Sequence, residues 1–212
     1  MTPQEKRKEL LSATLVKNLE KRHFEAYYCP TAAEAIEKVL SLMPEGSSVT
    51  WGGSMTIRDM GLTKAVKEGN YNVIDRDTAA NPAEMREMMR QGLLTDFYLT
   101  STNALSEDGV LVNIDGTGNR VGALIAGPKQ VILVVGANKL VRGGIPQGLA
   151  RVKTEACPQK ARRLGLDTPC ALHDKCDTAN CTRSMCSVTS VIERPLGGHK
   201  LTIILVVEEA GY

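Results

Sequence analysis

Residues 100–139 decide the fold, and they read TSTNALSEDGVLVNIDGTGNRVGALIAGPKQVILVVGANK. The apolar run at residues 131–135 is typical of a parallel strand that is buried on both faces. A shorter apolar run at residues 110–114 leads into the polar, glycine-rich loop 115–120, and a small-residue helix is predicted over residues 121–126. A helix start leaves backbone N–H groups unpaired and carries a partial positive charge. We therefore expect this loop to bind an anion.

A second glycine-marked turn follows a strand predicted at residues 48–51. Gly52, Gly53 and Ser54 lead directly into a helix predicted over residues 55–67. The backbone N–H groups and the Ser54 hydroxyl can cradle an anion at such a turn. Alternatively, the glycines only permit a sharp bend and Ser54 caps the helix. The sequence leaves both interpretations open.

Helices and strands alternate along most of the chain, which is typical of a layered, mostly parallel α/β sheet flanked by helices. Further strands are predicted at residues 25–29, 71–74, 96–101, 190–194 and 201–207, and further helices at residues 2–22, 32–42, 83–91, 147–155 and 158–164. Thr2, Pro3 and Glu5 predict a capped start for the first helix. Residues 195–199 predict a hairpin that pairs the last two strands. We expect one domain over residues 1–212, with an N-terminal helical part at about 1–45.

The composition argues against several classes of partner. The 26 Lys and Arg residues against 24 Asp and Glu leave a net charge of only +2, and 4% of residues are aromatic. Nucleic-acid binding is therefore not expected, since it requires a basic surface or aromatic stacking platforms. No apolar run approaches the roughly 20 residues needed to cross a bilayer. The charged N-terminal residues lack an apolar signal region, so we expect a cytoplasmic protein without membrane contact.

The cysteines are concentrated in a cysteine-rich loop predicted at about residues 157–187. Five of the six cysteines lie there, with the spacing C-x12-C-x5-C-x4-C-x4-C, which matches neither zinc ribbons nor bacterial ferredoxins. Thiols stay reduced in the cytoplasm, so metal ligation and free structural thiols are the two main interpretations, with disulfides formed in air as a third. Clustered thiolates suit soft metals. The metal interpretation predicts an iron–sulfur cluster or zinc, with Cys157 in reserve and four ligands: Cys170, Cys176, Cys181 and Cys186.

A basic helix lies just upstream of this loop. Its cations are Lys153, Lys160, Arg162 and Arg163. These side chains either neutralise an anionic cluster or substrate, or form an exposed helix face, and the second interpretation is the simpler.

Several motifs resemble the LUD (lactate utilization, formerly DUF162) family, which includes lactate utilization protein C. The motifs are Asn103-Ala104, Glu107-Asp108-Gly109, the DGTGNR loop at 115–120, GANK at 136–139, TPCA at 168–171 and VIER at 191–194. The resemblance covers nearly the whole chain, and the DGTGNR loop is its most specific part. It implies the fold of the NagB/RpiA/CoA-transferase group.

The resemblance also guides the assignment of a site. Related isomerases carry an acidic residue where this chain has Asn103 and a lysine where it has Asp115, whereas Lys139 matches their last basic residue. Isomerisation by proton transfer therefore loses its expected general base. A small anionic metabolite is still expected to bind at Asn103, Gly116, Thr117, Gly118, Asn119 and Lys139. Asp115 and Glu107 are the acid/base candidates, with a turn-capping Asp and a solvated Glu as the alternatives.

Three hypotheses of function follow. The resemblance implies a role in lactate or related hydroxy-acid metabolism, with iron–sulfur oxidoreductase subunits as possible partners. A free-standing isomerase or acyl/CoA-transferase is the alternative, and a transferase would need a nucleophilic glutamate such as Glu193, Glu208 or Glu209. The third is a non-catalytic metal-binding module. Assembly into a homo-oligomer stays open.

Overall fold

The computed structural model describes residues 3–212, without the side chains of residues 3–5 and 8, so the predicted cap at Thr2 lies outside the described residues. The helices are α1 (Pro3–Lys21), α2 (Ala32–Leu42), α3 (Met55–Asp59), α4 (Leu62–Glu68), α5 (Pro82–Gln91), α6 (Asn119–Ala126), α7 (Ile145–Arg151), α8 (Cys157–Arg163) and α9 (Pro169–His173). The strands are β1 (Glu25–Cys29), β2 (Ser48–Trp51), β3 (Asn72–Ile74), β4 (Phe97–Thr100), β5 (Ala104–Ser106), β6 (Leu111–Asp115), β7 (Gln130–Gly136), β8 (Leu140–Val141), β9 (Val188–Ile192) and β10 (Lys200–Val206). The predicted α/β class is confirmed.

A six-stranded, fully parallel sheet forms the centre of the protein. Its strand order is β1-β10-β7-β4-β2-β3. Strand β7 lies inside this sheet and is buried at every residue, as its continuous apolar sequence predicts. Six of the predicted strands therefore meet side by side in this sheet, with their carboxyl ends at one edge.

Both faces of this sheet are covered by apolar side chains. Val131, Leu133 and Val135 of β7 point into one cluster, which α1 and α6 complete. The alternate residues Ile132 and Val134 point into a second cluster, together with residues of α2, α3 and α4. This alternation follows from the two-residue period of a strand, and it explains why β7 needs no polar face.

A second, four-stranded sheet was not predicted, and it corrects the expected hairpin. Its order is β8-β5-β6-β9, and β9 pairs antiparallel with β6. Strand β10 instead lies between β1 and β7 in the parallel sheet. The two strands at the end of the sequence therefore form where expected but belong to different sheets, so the hairpin prediction for residues 195–199 is wrong. The turn residues between β9 and β10 do not indicate that the apolar strand β10 is buried between β1 and β7.

The helix expected over residues 55–67 is two short helices, α3 and α4. They are separated by Gly61, whose φ of 84° is in the left-handed region that glycine adopts readily. None of the helices in residues 3–212 is both long and apolar enough to cross a membrane.

Candidate functional site: a basic cavity at the carboxyl edge of the parallel sheet

A cavity of about 310 Å³ opens where the carboxyl ends of the parallel strands meet. This edge of an open α/β sheet is where ligands usually bind. The parallel sheet contributes residues 52–56 after β2, Arg76 after β3, residues 100–103 at the end of β4, Lys139 after β7 and Tyr212 after β10. The second sheet adds Asp115 and the glycine-rich loop, and α8 adds Lys160 and Arg163. Elements that are far apart in sequence thus build one site.

The wall of this cavity is strongly positive. Its charged side chains are Arg76, Arg120, Lys139, Lys160 and Arg163 against the carboxylate of Asp115. Asp115 is already paired with Arg120, and Arg76 Nε lies 3.9 Å from Asp77 Oδ1. Among the side chains that the structure describes, Lys139, Lys160 and Arg163 have no carboxylate within 4.0 Å. The cavity wall therefore has more cationic than anionic side chains, and Lys160 and Arg163 have no carboxylate in contact among these described side chains.

The predicted loop 115–120 lies at this cavity, and Asp115 organises it. One carboxylate oxygen of Asp115 accepts a hydrogen bond from Arg120, and the other accepts from the Val121 N–H at 3.0 Å. The carboxylate is buried, and both of its oxygens are engaged within the chain. Asp115 thus caps the start of α6 and orients Arg120, which fits a positioning role better than that of a free general base.

The glycines of this loop serve the turn. Gly118 has φ 75° and immediately precedes α6, and it does not line the cavity. A Cβ atom on Gly116 would lie 3.1 Å from the Met185 backbone oxygen, so this loop packs tightly against residues 184–187. Thr117 Oγ1 donates to Asn119 Oδ1 at 2.6 Å, and both residues line the cavity. Gly118 therefore contributes through backbone conformation, whereas Gly116, Thr117 and Asn119 reach the site.

Asn103 holds the cationic side of the site in place. Its Oδ1 accepts from Arg120 Nη2 at 2.8 Å and from the Ile114 N–H at 3.0 Å. Its backbone oxygen accepts from Arg151, a largely buried side chain that also donates to Asn138 O at 3.0 Å. Asn103, which stands where related isomerases have an acidic residue, therefore positions Arg120.

The GGS turn also lies at the cavity. A Cβ atom on Gly52 would come 2.8 Å from Tyr98 Oη, and one on Gly53 would come 2.8 Å from Arg76 Nη2. The glycines therefore let the backbone approach these side chains closely. Ser54 makes no capping hydrogen bond with α3, and its Oγ is buried without a partner among the described residues. Ser54 therefore occupies the N-cap position of α3 without capping it through its side chain, and its hydroxyl is left for another partner.

Two buried side chains near the cavity have displaced pKa values. Burial lowers the pKa of Lys139 to about 7, and Arg151 and Arg120 add to this shift. Burial also raises the pKa of Tyr98 to about 12, so this phenol stays protonated at neutral pH. Asn119 Nδ2 donates to Tyr98 Oη at 3.2 Å, which links the phenol to the glycine-rich loop.

The predicted catalytic residue Glu107 does not share this site. Its carboxylate accepts from the Gly143 N–H at 2.9 Å, in a turn outside the cavity wall. The three glutamates considered for a transferase, Glu193, Glu208 and Glu209, are exposed and do not line the cavity either. The structure therefore provides no glutamate nucleophile at the cavity.

The structure does not gather the four predicted metal ligands. In the described part of the chain, no three or more His, Cys, Asp or Glu side chains are grouped so that they could hold a metal ion. Instead, Cys186 Sγ lies 3.6 Å from Cys157 Sγ, and Cys157 is buried within α8 rather than in a loop. The donor set does not fit a four-thiolate centre as it is arranged here, so no step is derived through a metal. The iron–sulfur or zinc site stays a prediction, which metal and sulfide analysis of protein purified without oxygen tests.

Sequence reasoning missed part of the cationic wall. Lys160 and Arg163 were expected on an exposed face of a helix; Arg163 is exposed, but Lys160 is half-buried and both line the cavity. Their spacing of three residues on α8 places them on one side of the helix, and this was the available signal. Arg76 and Tyr212 carried no comparable signal, because each is brought to the cavity only by the sheet order.

The fold and cavity define an α/β protein with a basic small-molecule site at the carboxyl edge of a parallel sheet. The model of the LUD domain matches residues 13–206, so the chain belongs to the LUD domain family. Among solved structures, it is similar to a DUF162 family protein from Deinococcus radiodurans, with 14% identity and a TM-score of 0.55 over 94% of this chain and 98% of that one. This likeness supports the fold alone. A search of curated proteins finds no match.

Proposed function

We propose that this protein binds a small carboxylate- or phosphate-bearing metabolite in the basic cavity and serves lactate or related hydroxy-acid metabolism. The excess of cations over carboxylates in the cavity wall carries the binding part of the proposal. Family membership supports the metabolic part. An accessory role beside iron–sulfur oxidoreductase subunits is expected from the family resemblance alone.

An anion would supply the charge that the cavity lacks. Burying a charge without a partner is costly, and the half-buried Lys160 has no carboxylate within 4.0 Å among the described side chains. Burial and the neighbouring Arg120 lower the pKa of Lys160, although Asp115 opposes the shift. The planar guanidinium groups of Arg76 and Arg163 match the paired oxygens of a carboxylate or phosphate. A bound anion therefore gains strong hydrogen bonds and relieves repulsion among the cations.

The cavity also limits the size of the ligand. Its volume of about 310 Å³ is at the lower end of the roughly 300–1,000 Å³ typical of ligand sites. One hydroxyl group in its wall, Ser54 Oγ, has no hydrogen-bond partner among the described residues. It can donate to, or accept from, a hydroxyl group on the ligand. A short hydroxy acid has both the anionic group and the hydroxyl that such a wall recognises.

A ligand panel tests this proposal by thermal shift. L-lactate, glycolate and inorganic phosphate are compared with propane-1,2-diol, which resembles lactate in shape but has no charge. An anion at one hundred times its Kd is expected to stabilise the protein by about 2.7 kcal/mol. At roughly 2–4 °C per kcal/mol for a chain of this size, Tm rises by about 5–11 °C. Equal shifts with the diol, or none with any anion, would reject the site.

Two neighbouring arginines provide a matched pair of variants. Arg163 lines the cavity, whereas Arg162 faces outward and pairs with Asp174 at 2.7 Å. Arg163→Met removes a charged donor and is expected to weaken anion binding at least about tenfold, which corresponds to about 1.4 kcal/mol. Arg162→Met removes the same charge from the same helix and is expected to change affinity little. Equal losses in both variants would reduce the effect to net charge and contradict the site.

A further inference from the structure

Lys139 is a buried amine whose role is not explained by charge alone. It follows β7, is only 3% exposed, and lines the cavity. Its Nζ lies 2.6 Å from Thr56 Oγ1 and 3.0 Å from Ser101 Oγ. Its partners are thus two hydroxyl groups, and no carboxylate among the described side chains lies within 4.0 Å of it.

The hydrogen bonds of these two hydroxyls set the direction of the contacts with Lys139. Thr56 Oγ1 donates its proton to Ala210 O at 3.1 Å, and Ser101 Oγ donates to Thr102 O at 3.4 Å. Each hydroxyl oxygen therefore accepts a hydrogen bond from Lys139 Nζ. A neutral amine has two N–H groups and one lone pair, so both of its protons are used and the lone pair is free. An ammonium group would keep a third N–H, which finds no partner among the described residues.

The charges around Lys139 also favour the neutral amine. Arg151 of α7 and Arg120 of α6 both lower its pKa, whereas Asp59 of α3 opposes them more weakly. With burial as the largest cause, the pKa falls to about 7. A large share of the molecules therefore carries an uncharged, nucleophilic amine near neutral pH.

We propose that Lys139 is a nucleophile that forms an imine with the carbonyl carbon of a short 2-oxo acid. The cations of the cavity wall would hold the carboxylate of the substrate, and the amine would react with its carbonyl group. Because the cavity is small, the carboxylate and the carbonyl must be adjacent in the substrate, as they are in a 2-oxo acid. The inference rests on the anion site of the proposed function and names the class of substrate for it. It also assigns covalent chemistry to a side chain that would otherwise only bind.

The proposed step is balanced without a redox partner. The lone pair of Lys139 Nζ forms the new C–N bond, and the π bond of the carbonyl breaks toward oxygen. That oxygen takes up the two amine protons and leaves as water, so that a C=N bond remains. Thr56 and Ser101 accept hydrogen bonds from the two N–H groups, so their role in this step is to orient the amine.

Reductive trapping tests the inference on the full chain. The protein is incubated with glyoxylate or pyruvate and sodium cyanoborohydride, and peptide mapping by mass spectrometry locates any secondary amine. We expect the adduct at Lys139 and expect excess phosphate to suppress it. Lys139→Arg keeps a long basic side chain but removes the nucleophilic amine and should abolish the adduct. Lys129→Arg, at an exposed lysine outside the cavity, should not.

The outcomes separate this inference from the proposed function. If calorimetry detects glyoxylate and lactate binding but no adduct forms at Lys139, the imine is rejected and the anion site stands. If neither acid binds and no adduct forms, both are rejected. An adduct spread over exposed lysines such as Lys129 also overturns the inference. Peptide mapping of the wild-type protein alone gives this result, so the test remains valid even if Lys139→Arg fails to fold.

Discussion

Replacing Asp115 by Asn should destabilise the protein far more than a comparable change at the surface. The Asp115 and Arg120 side chains are only 6% and 15% exposed, and both oxygens of Asp115 are engaged. The asparagine amide has the shape of the carboxylate, but its NH₂ group would face one of the two donors, Arg120 or the Val121 N–H. It also leaves Arg120 without its counter-charge. Removing one partner of a buried pair costs about 3–5 kcal/mol. At roughly 2–4 °C per kcal/mol, Tm should fall by about 6–20 °C.

The pair Arg22–Asp108 provides the control for this prediction. Its atoms are 3.0 Å apart, but the side chains are 24% and 50% exposed, so Asp108→Asn should cost about 0–1 kcal/mol. Urea unfolding of both variants measures the difference in the free energy of unfolding. The double variant of Asp115→Asn with Arg120→Met should lose less than the sum of the two single variants, by about 0.5–3 kcal/mol. Additive losses, or an Asp115→Asn variant as stable as the Asp108 control, would refute the positioning role of Asp115.

Three further predictions concern other parts of the site. Between about pH 7 and the ordinary lysine pKa of 10.5, the unfolded chain keeps a proton on Lys139 while the folded chain loses it. The stability of the wild type relative to Lys139→Met should therefore rise with pH in this window. Urea unfolding at several pH values measures this difference, and a difference that does not change with pH would contradict the prediction. Mild oxidation with diamide should join Cys157 to Cys186, whose Sγ atoms are 3.6 Å apart, and a disulfide map in which Cys186 pairs elsewhere would contradict the arrangement. Gly198→Ala, with φ 84° and open space around the new Cβ, should cost roughly the 1–2 kcal/mol of a left-handed backbone and is the control. Gly211→Ala should cost more in thermal unfolding, since φ is 61° and the new Cβ would also lie 2.6 Å from Thr56 Oγ1.

The sequence predicted the fold where local pattern and burial agree. The apolar run of β7 specified a doubly buried strand, and the alternation of helices and strands specified a parallel sheet. The pairing of strands was harder to predict, because β9 and β10 are neighbours in sequence and yet lie in different sheets. Nothing local in β10 indicates that its register is set by β1 and β7, which precede it by many residues.

The same limit applies to the site. The glycine-rich loop and Asn103 could be predicted because motif and turn chemistry are local, and both lie at the cavity. Glu107 was predicted from a neighbouring motif, but its carboxylate binds the Gly143 N–H and does not line the cavity. Lys160 and Arg163 reach the site only because α8 packs beside the loop. Their helical spacing was visible in the sequence, whereas the surface against which they pack was not.

The location of a bound anion tests the central claim most directly. A crystal structure of the protein grown with L-lactate or phosphate would show which groups hold it. The anionic oxygens are expected within hydrogen-bonding distance, about 3 Å, of cavity-wall cations such as Arg76, Lys160 and Arg163. A ligand bound only outside this cavity, or a cavity left empty at a concentration that saturates binding in solution, would contradict the account.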